Sequence, residues 1–91
     1  MPLTQLELEL KEMALERIRR RLLPAEAPKT IWAGSGTGAV CSLCDRAVDS
    51  TETEYELEAH MDDGTESTIR FHVRCYALWQ REVARLAENL T

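Results

Sequence analysis

Apolar and polar positions follow a helical period from about Gln5 to Leu23. The period drops to two from Glu54 to His72 and returns to helical from His72 to Asn89. Helix, hairpin and helix in that order predict an α+β chain. The first helix has a marked start. Thr4 as N-cap and Glu7 three positions on make a capping box, and Leu3 and Leu8 stand at the positions of a hydrophobic staple. Glu7, Glu9, Glu12 and Glu16 lie toward its start, whereas Arg17, Arg19, Arg20 and Arg21 lie toward its end, an order that complements the helix dipole. Glu7–Lys11 and Glu16–Arg20 are favourable four-apart pairs. Pro24 predicts the stop. The apolar residues divide between two faces, Leu6, Leu10 and Met13 on one and Leu8, Leu15, Ile18 and Leu22 on the other. Two apolar faces predict two burials: either one against the rest of the chain and one against a second copy, a homodimer through this helix, or both within one chain that wraps the helix well.

In the hairpin, Tyr55, Leu57, Ala59 and Met61 alternate with Glu54, Glu56, Glu58 and His60, and Asp62-Asp63-Gly64 is the turn signal. A three-residue loop with Gly64 left-handed pairs Tyr55 with Phe71, Leu57 with Ile69, Ala59 with Ser67 and Met61 with Thr65. All the large apolar residues then share one face, while Glu56 meets Arg70 and His60 meets Glu66 on the other. A two-residue loop would set Leu57 opposite Arg70 and scatter the apolar set. Glu54, Glu56 and Glu58 are expected on a solvated face whose charges discourage edge pairing. On the last helix His72, Cys75, Tyr76, Trp79, Val83, Leu86 and Leu90 fall on one stripe, with Arg74, Arg81, Arg85 and Glu88 opposite.

Between the first helix and the hairpin the pattern lapses. Pro24 to Pro28 is stiff and non-helical, Ile31-Trp32 is a short apolar anchor, and Gly34 to Gly38 is flexible. The expected division is a helix over 1–23, a linker over 24–39 and a domain over 40–91. A phosphate-binding role for the glycine run would need a strand before it and a helix after it, but Cys41 follows instead.

Ninety-one residues suit one small domain, which buries only about 60% of its unfolded surface and gains from a staple. The chain carries 11 Lys+Arg against 16 Asp+Glu, a net charge of −5, which argues against wholesale binding of nucleic acid or anionic membrane. The apolar fraction of 44% matches ordinary globular chains, and no apolar run reaches membrane-spanning length. No basic region followed by an apolar stretch opens the sequence, so a cytoplasmic address is the default expectation.

The three cysteines carry the chemistry. Cys41 and Cys44 form Cys-x-x-Cys, and His72 and Cys75 form His-x-x-Cys, so the full spacing is Cys-x2-Cys-x27-His-x2-Cys. Four N and S ligands in two pairs are what a structural zinc requires. A redox Cys-x-x-Cys usually sits in a βαβ unit, which the pattern lacks, and it would leave Cys75 without a role. His72 and Cys75, three apart, share a face of the first helical turn, where unpaired N–H groups favour the net −1 of three thiolates and Zn2+. Arg46 and Arg74 stand next to the ligands and could add screening, with Asp45 and Arg46 expected in solvent. Four protein ligands leave no open position, so one structural Zn2+ is the expected cofactor.

Knuckle, hairpin, then a helix whose first turn supplies the second ligand pair is the order of a treble-clef zinc finger. On Cys41, Cys44, His72, Cys75 and the aromatic Tyr76, the stretch from about Val40 to Leu90 resembles the first zinc module of a LIM domain. It departs from that family in lacking an immediate second zinc module and in its longer loop between ligand pairs. The resemblance implies the fold and not the family's partners. The expected function is a non-catalytic zinc-binding module acting through protein–protein contact. The alternative is nucleic-acid binding through Arg17, Arg19, Arg20 and Arg21, which helical geometry points in several directions. An enzyme is the remaining reading. Ligation would consume a Cys75–His72 nucleophile pair, neither His60 nor His72 opens a His-x-Glu deaminase motif, and His60 reads as a surface residue.

Overall fold

In the computed structural model, the described residues are 4–26, 28, 30–60 and 64–89. They form helix α1 (Gln5–Arg19), strands β1 (Ile31–Ser35), β2 (Thr53–His60) and β3 (Glu66–His72), and helix α2 (Val73–Asn89). The strands make one antiparallel sheet in the order β1-β2-β3. Helix α2 packs on the β2–β3 part of the sheet, and α1 packs on α2.

The capping box closes as expected. The Glu7 N–H donates to Thr4 Oγ1 at 3.1 Å, and the Thr4 N–H donates to Glu7 Oε1 at 3.3 Å. Leu3 of the staple lies outside the described residues. The end of α1 differs from expectation. It stops at Arg19 because Arg21 turns left-handed at φ 62°. The Leu22 N–H then donates to Arg17 O at 2.8 Å and the Arg21 N–H to Ile18 O at 3.0 Å, the paired bonds of a Schellman motif. This reversal carries Leu23 into the core, where it is almost fully buried. The two apolar faces of the sequence pattern resolve differently as well. Leu10, Ala14 and Ile18, spaced four apart, form the buried stripe, which cuts across both predicted sets and leaves Leu6, Leu8 and Leu22 exposed.

The hairpin has the register that side-chain alternation predicts. Tyr55 faces Phe71, Leu57 faces Ile69, Ala59 faces Ser67, Glu56 faces Arg70 and His60 faces Glu66. Gly64 takes φ +87°, the left-handed turn residue. The expected Met61–Thr65 pair involves a position outside the described residues.

The stretch read as a linker contains a strand. β1 pairs with β2 from Ile31 opposite Leu57 to Ser35 opposite Thr53, yet all five of its side chains are exposed. A strand held by backbone pairing without burial leaves no apolar alternation to read. The glycine run is also more constrained than a flexible loop. A Cβ on Gly36 would stand 2.0 Å from Asp49 O and 2.5 Å from Val48 O, so only glycine fits there.

The core joins the sheet to α2. Trp79 and Phe71 are fully buried and stack at 5.3 Å between centroids, and Tyr55 meets Tyr76 at 4.8 Å. The Trp79 indole N–H donates to Pro24 O at 2.9 Å, which pins the chain leaving α1 to α2. The buried side of α2 is wider than the predicted stripe, because Leu78 and Glu82 are buried along with Cys75, Trp79 and Val83. A helix covered by both a sheet and another helix buries two flanks. Leu90 lies outside the described residues. Glu54 departs from the expected solvated face. It is 5% exposed, accepts a hydrogen bond from Thr37 Oγ1 at 2.9 Å, and has Arg70 Nε at 3.7 Å. Among the described residues, no helix is long and apolar enough to cross a membrane.

Candidate metal centre

Residues 40–47 form a tight knuckle. A single bridge joins Val40 to Ala47, the Cys41 N–H donates to Arg46 O at 2.9 Å, and the Asp45 N–H donates to Cys41 O at 3.1 Å. Asp45 takes φ 64°, a conformation aspartate tolerates better than most side chains. The Leu43 N–H points at Cys41 Sγ, 3.4 Å away, and the Leu43 side chain is fully buried beneath the turn. A backbone donor aimed at a sulfur favours its thiolate form.

His72 ends β3, and Cys75 lies in the first turn of α2. The change from strand to helix between them turns both side chains toward the knuckle. The knuckle is tied to the strand edge just before this junction. The Ser42 N–H donates to Arg70 O at 2.7 Å, and the Arg70 N–H donates to Ser42 Oγ at 3.3 Å. These bonds set the distance between ligand pairs 28 residues apart.

The four predicted ligands come together. One ligand atom from each of Cys41, Cys44, His72 and Cys75 lies within 4.8 Å of all the others. His72 Nδ1 is 3.4 Å from Cys44 Sγ and 4.0 Å from Cys75 Sγ. A tetrahedral zinc with bonds of about 2.0–2.3 Å places its ligand atoms about 3.5–3.8 Å apart, so the cluster fits such an ion with only small adjustments. On its other side, His72 Nε2 is 3.1 Å from Ala47 O and 3.7 Å from Glu52 Oε2. A proton on Nε2 donates to Ala47 O, with the Glu52 carboxylate nearby, and leaves the Nδ1 lone pair facing the sulfurs, an orienting arrangement common for metal-bound histidine.

The electrostatics show what the cluster lacks by itself. A hydrogen bond from Cys75, reinforced by the N–H groups of Cys44, His72 and Leu43, outweighs burial and holds the Cys41 thiol at about 4. The same contact with Cys41, together with burial, pushes the Cys75 thiol well up. Burial raises Cys44 as well, with the Cys41 thiolate adding to it. For His72, burial opposes the charged form, but the hydrogen bond with Cys41 prevails and raises it. One thiolate therefore suppresses ionisation of the other two sulfurs. A divalent cation at the centre removes that conflict. The donor set is thus a Cys3His group close enough to hold a metal ion.

Arg17 of α1 completes the setting. Its guanidinium donates to Ser42 O at 2.6 Å and grips Asp45 with Nη2–Oδ2 at 2.6 Å and Nη1–Oδ1 at 3.2 Å. Asp45 is exposed as expected, but it is ion-paired, and Arg17 holds its carboxyl below the usual range. This clamp joins residues 28 apart and carries no local sequence signal, nor do the Ser42 tie and the Ala47 and Glu52 contacts. It also removes Arg17 from the basic cluster considered for nucleic acid, while Arg19 and Arg20 both pair with Glu16. Arg46 and Arg74 are exposed beside the centre, and His60 is exposed next to Glu66 at 3.6 Å.

Fold and site together define a small α+β protein, a three-stranded antiparallel sheet covered by α2 with α1 packed on α2, carrying one Cys3His cluster close enough to hold a metal ion. No protein-family model, curated protein or solved structure matches the chain.

Proposed function

We propose that the chain is a non-catalytic zinc module of treble-clef type, similar to the first zinc module of a LIM domain, and that it works through contact with another protein. The observation that carries this reading is the convergence of four ligand atoms within 4.8 Å, drawn from a knuckle, a strand end and a helix start. Four protein donors complete a tetrahedral shell and leave no position for substrate or for a reactive water, which is the mark of a structural zinc. Cys41, Cys44, His72 and Cys75 hold one Zn2+, and the ion replaces mutual repulsion among the sulfurs with shared coordination. The exposed leucines Leu6 and Leu8 of α1, with Leu22 just beyond its end, supply an apolar surface for a partner. Leu6 and Val73 also flank a depression that reaches Cys44 and His72.

The test is metal content per chain on protein purified without chelator, followed by circular dichroism before and after chelation. One zinc per chain, with loss of structure on its removal, is the expected result. An intact fold without metal overturns the structural-zinc reading. Nucleic-acid binding is the second reading. It predicts affinity that falls steeply with salt, which titration of a labelled duplex and a labelled single strand checks directly.

A further inference from the structure

β1 is one of the two edges of the sheet, and it breaks the usual rules for an edge. Natural edge strands carry charges, prolines or bulges that block pairing with another chain. Ile31, Trp32, Ala33, Gly34 and Ser35 carry none of these, and all five are exposed. β1 is also free of the acidic residues that alternate along β2.

The pairing on its inner side shows which backbone groups face outward. The Gly36 N–H donates to Glu52 O at 2.9 Å, continuing the β1–β2 register in which Ile31 faces Leu57. Hydrogen-bonded positions alternate along an antiparallel pair. Gly34 and Trp32 therefore turn their N–H and C=O groups toward β2, and Ile31, Ala33 and Ser35 turn theirs outward.

From this geometry we infer that β1 pairs antiparallel with β1 of a second copy, joining two three-stranded sheets across a two-fold axis at Ala33. Three features fit a second copy as the occupant. The outward groups are at odd positions symmetric about Ala33, so Ala33 meets the other Ala33 and Ile31 meets the other Ser35, with every outward donor matched to an acceptor. The neutral strand brings no like charges together across the axis, although each chain carries a net charge of −5. Trp32, 49% exposed, faces the other copy's Gly34, and the space above Gly34 is open to 4 Å. An indole laid over a cross-strand glycine covers backbone that glycine itself leaves bare. The dyad thus forms two identical Trp–Gly contacts on the face that also bears Glu56 and Arg70. Self-association belongs to β1, which leaves the exposed leucines of α1 to another partner.

The test is sedimentation velocity on the full zinc-loaded chain over a dilution series from about 1 mM to about 1 μM, a range suited to a small interface. The expected result is a monomer–dimer equilibrium in the native chain and a monomer throughout in Ala33→Pro. Proline at 33 removes an outward N–H that the monomer's own sheet does not use, a place where edge strands accept it. If Ala33→Pro changes the circular dichroism, Trp32→Lys replaces it, setting two like charges diagonally across the axis at an exposed position. Hydrogen exchange supplies the local readout, with the amides of Ile31, Ala33 and Ser35 slowing as concentration rises and those of Trp32 and Gly34 unchanged. A native chain that stays monomeric overturns the inference. So does a dimer that survives both substitutions, or one that only Leu8→Glu on α1 dissolves.

Discussion

Leu57 and Ile31 face each other across one sheet, but Leu57 is fully buried and Ile31 is 38% exposed. The contrast holds for their whole strands. β2 and β3 lie against α2, so alternate side chains have a face to fill and any slip in register would turn that face to water. β1 hangs on the outer side of β2 by its backbone alone. Burial enforces a readable pattern in the first region, whereas pairing in the second leaves the choice of side chains free.

His72 and Cys75 of the Cys3His cluster lie at the end of β3 and the start of α2, in the first region, so the largest effect is expected there. Cys44→Ser removes one ligand and should cost the fold itself, because the free energy of structural zinc is largely folding free energy. Unchanged thermal melting and helix content in that variant would exclude a structural role for the ion. Acid should act in the same direction. Cys44 and Cys75 are held above the ordinary thiol range and must each lose a proton to bind metal, whereas Cys41, at about 4, is already ionised near neutrality. Each ion bound displaces those two protons, so zinc affinity should fall at least about 100-fold per unit as the pH drops from about 8 to about 6. Competition with a chromogenic chelator measures this, and a flat profile would mean that the thiols are not the ligands.

Substitutions without a direct role in ligation sharpen the comparison. Leu57→Ala should destabilise by about 3 kcal/mol through lost burial and a cavity under α2, read from urea unfolding. Gly36→Ala should cost at least about 2 kcal/mol, since its Cβ would collide with the backbone of Val48 and Asp49. Ile31→Ala, the cross-strand neighbour of Leu57, should cost less than about 1 kcal/mol in the dilute chain. If Ile31→Ala matched Leu57→Ala, β1 would have to belong to the core.

Much of the chain outside β1 was legible because its signals are local. The Thr4–Glu7 box, the left-handed Gly64 and the pairings from Tyr55–Phe71 to His60–Glu66 follow from spacing within one element or one turn. So do the two ligand pairs, whose internal spacings are fixed by a tight turn and a helical turn. The errors fall where distant segments decide. Arg21 ends α1 by its conformation, with Pro24 further on, and tertiary packing buries Leu10, Ala14 and Ile18 together, a stripe that the helical period alone does not mark. Glu54 looked like one more solvated glutamate until Thr37 and Arg70 were brought against it.

The sequence by itself determined the β2–β3 hairpin with its register, the helix that follows it and the four residues of the Cys3His cluster, because each rests on a short period or a short spacing. Only the tertiary structure decided that Ile31–Ser35 is a strand, that Arg17 grips the knuckle through Ser42 and Asp45, and that His72 turns Nδ1 to the sulfurs and Nε2 to Ala47 and Glu52. Each of those is a contact between segments remote in sequence, made through single hydrogen bonds or backbone pairing. Such contacts place no periodic demand on the residues that form them.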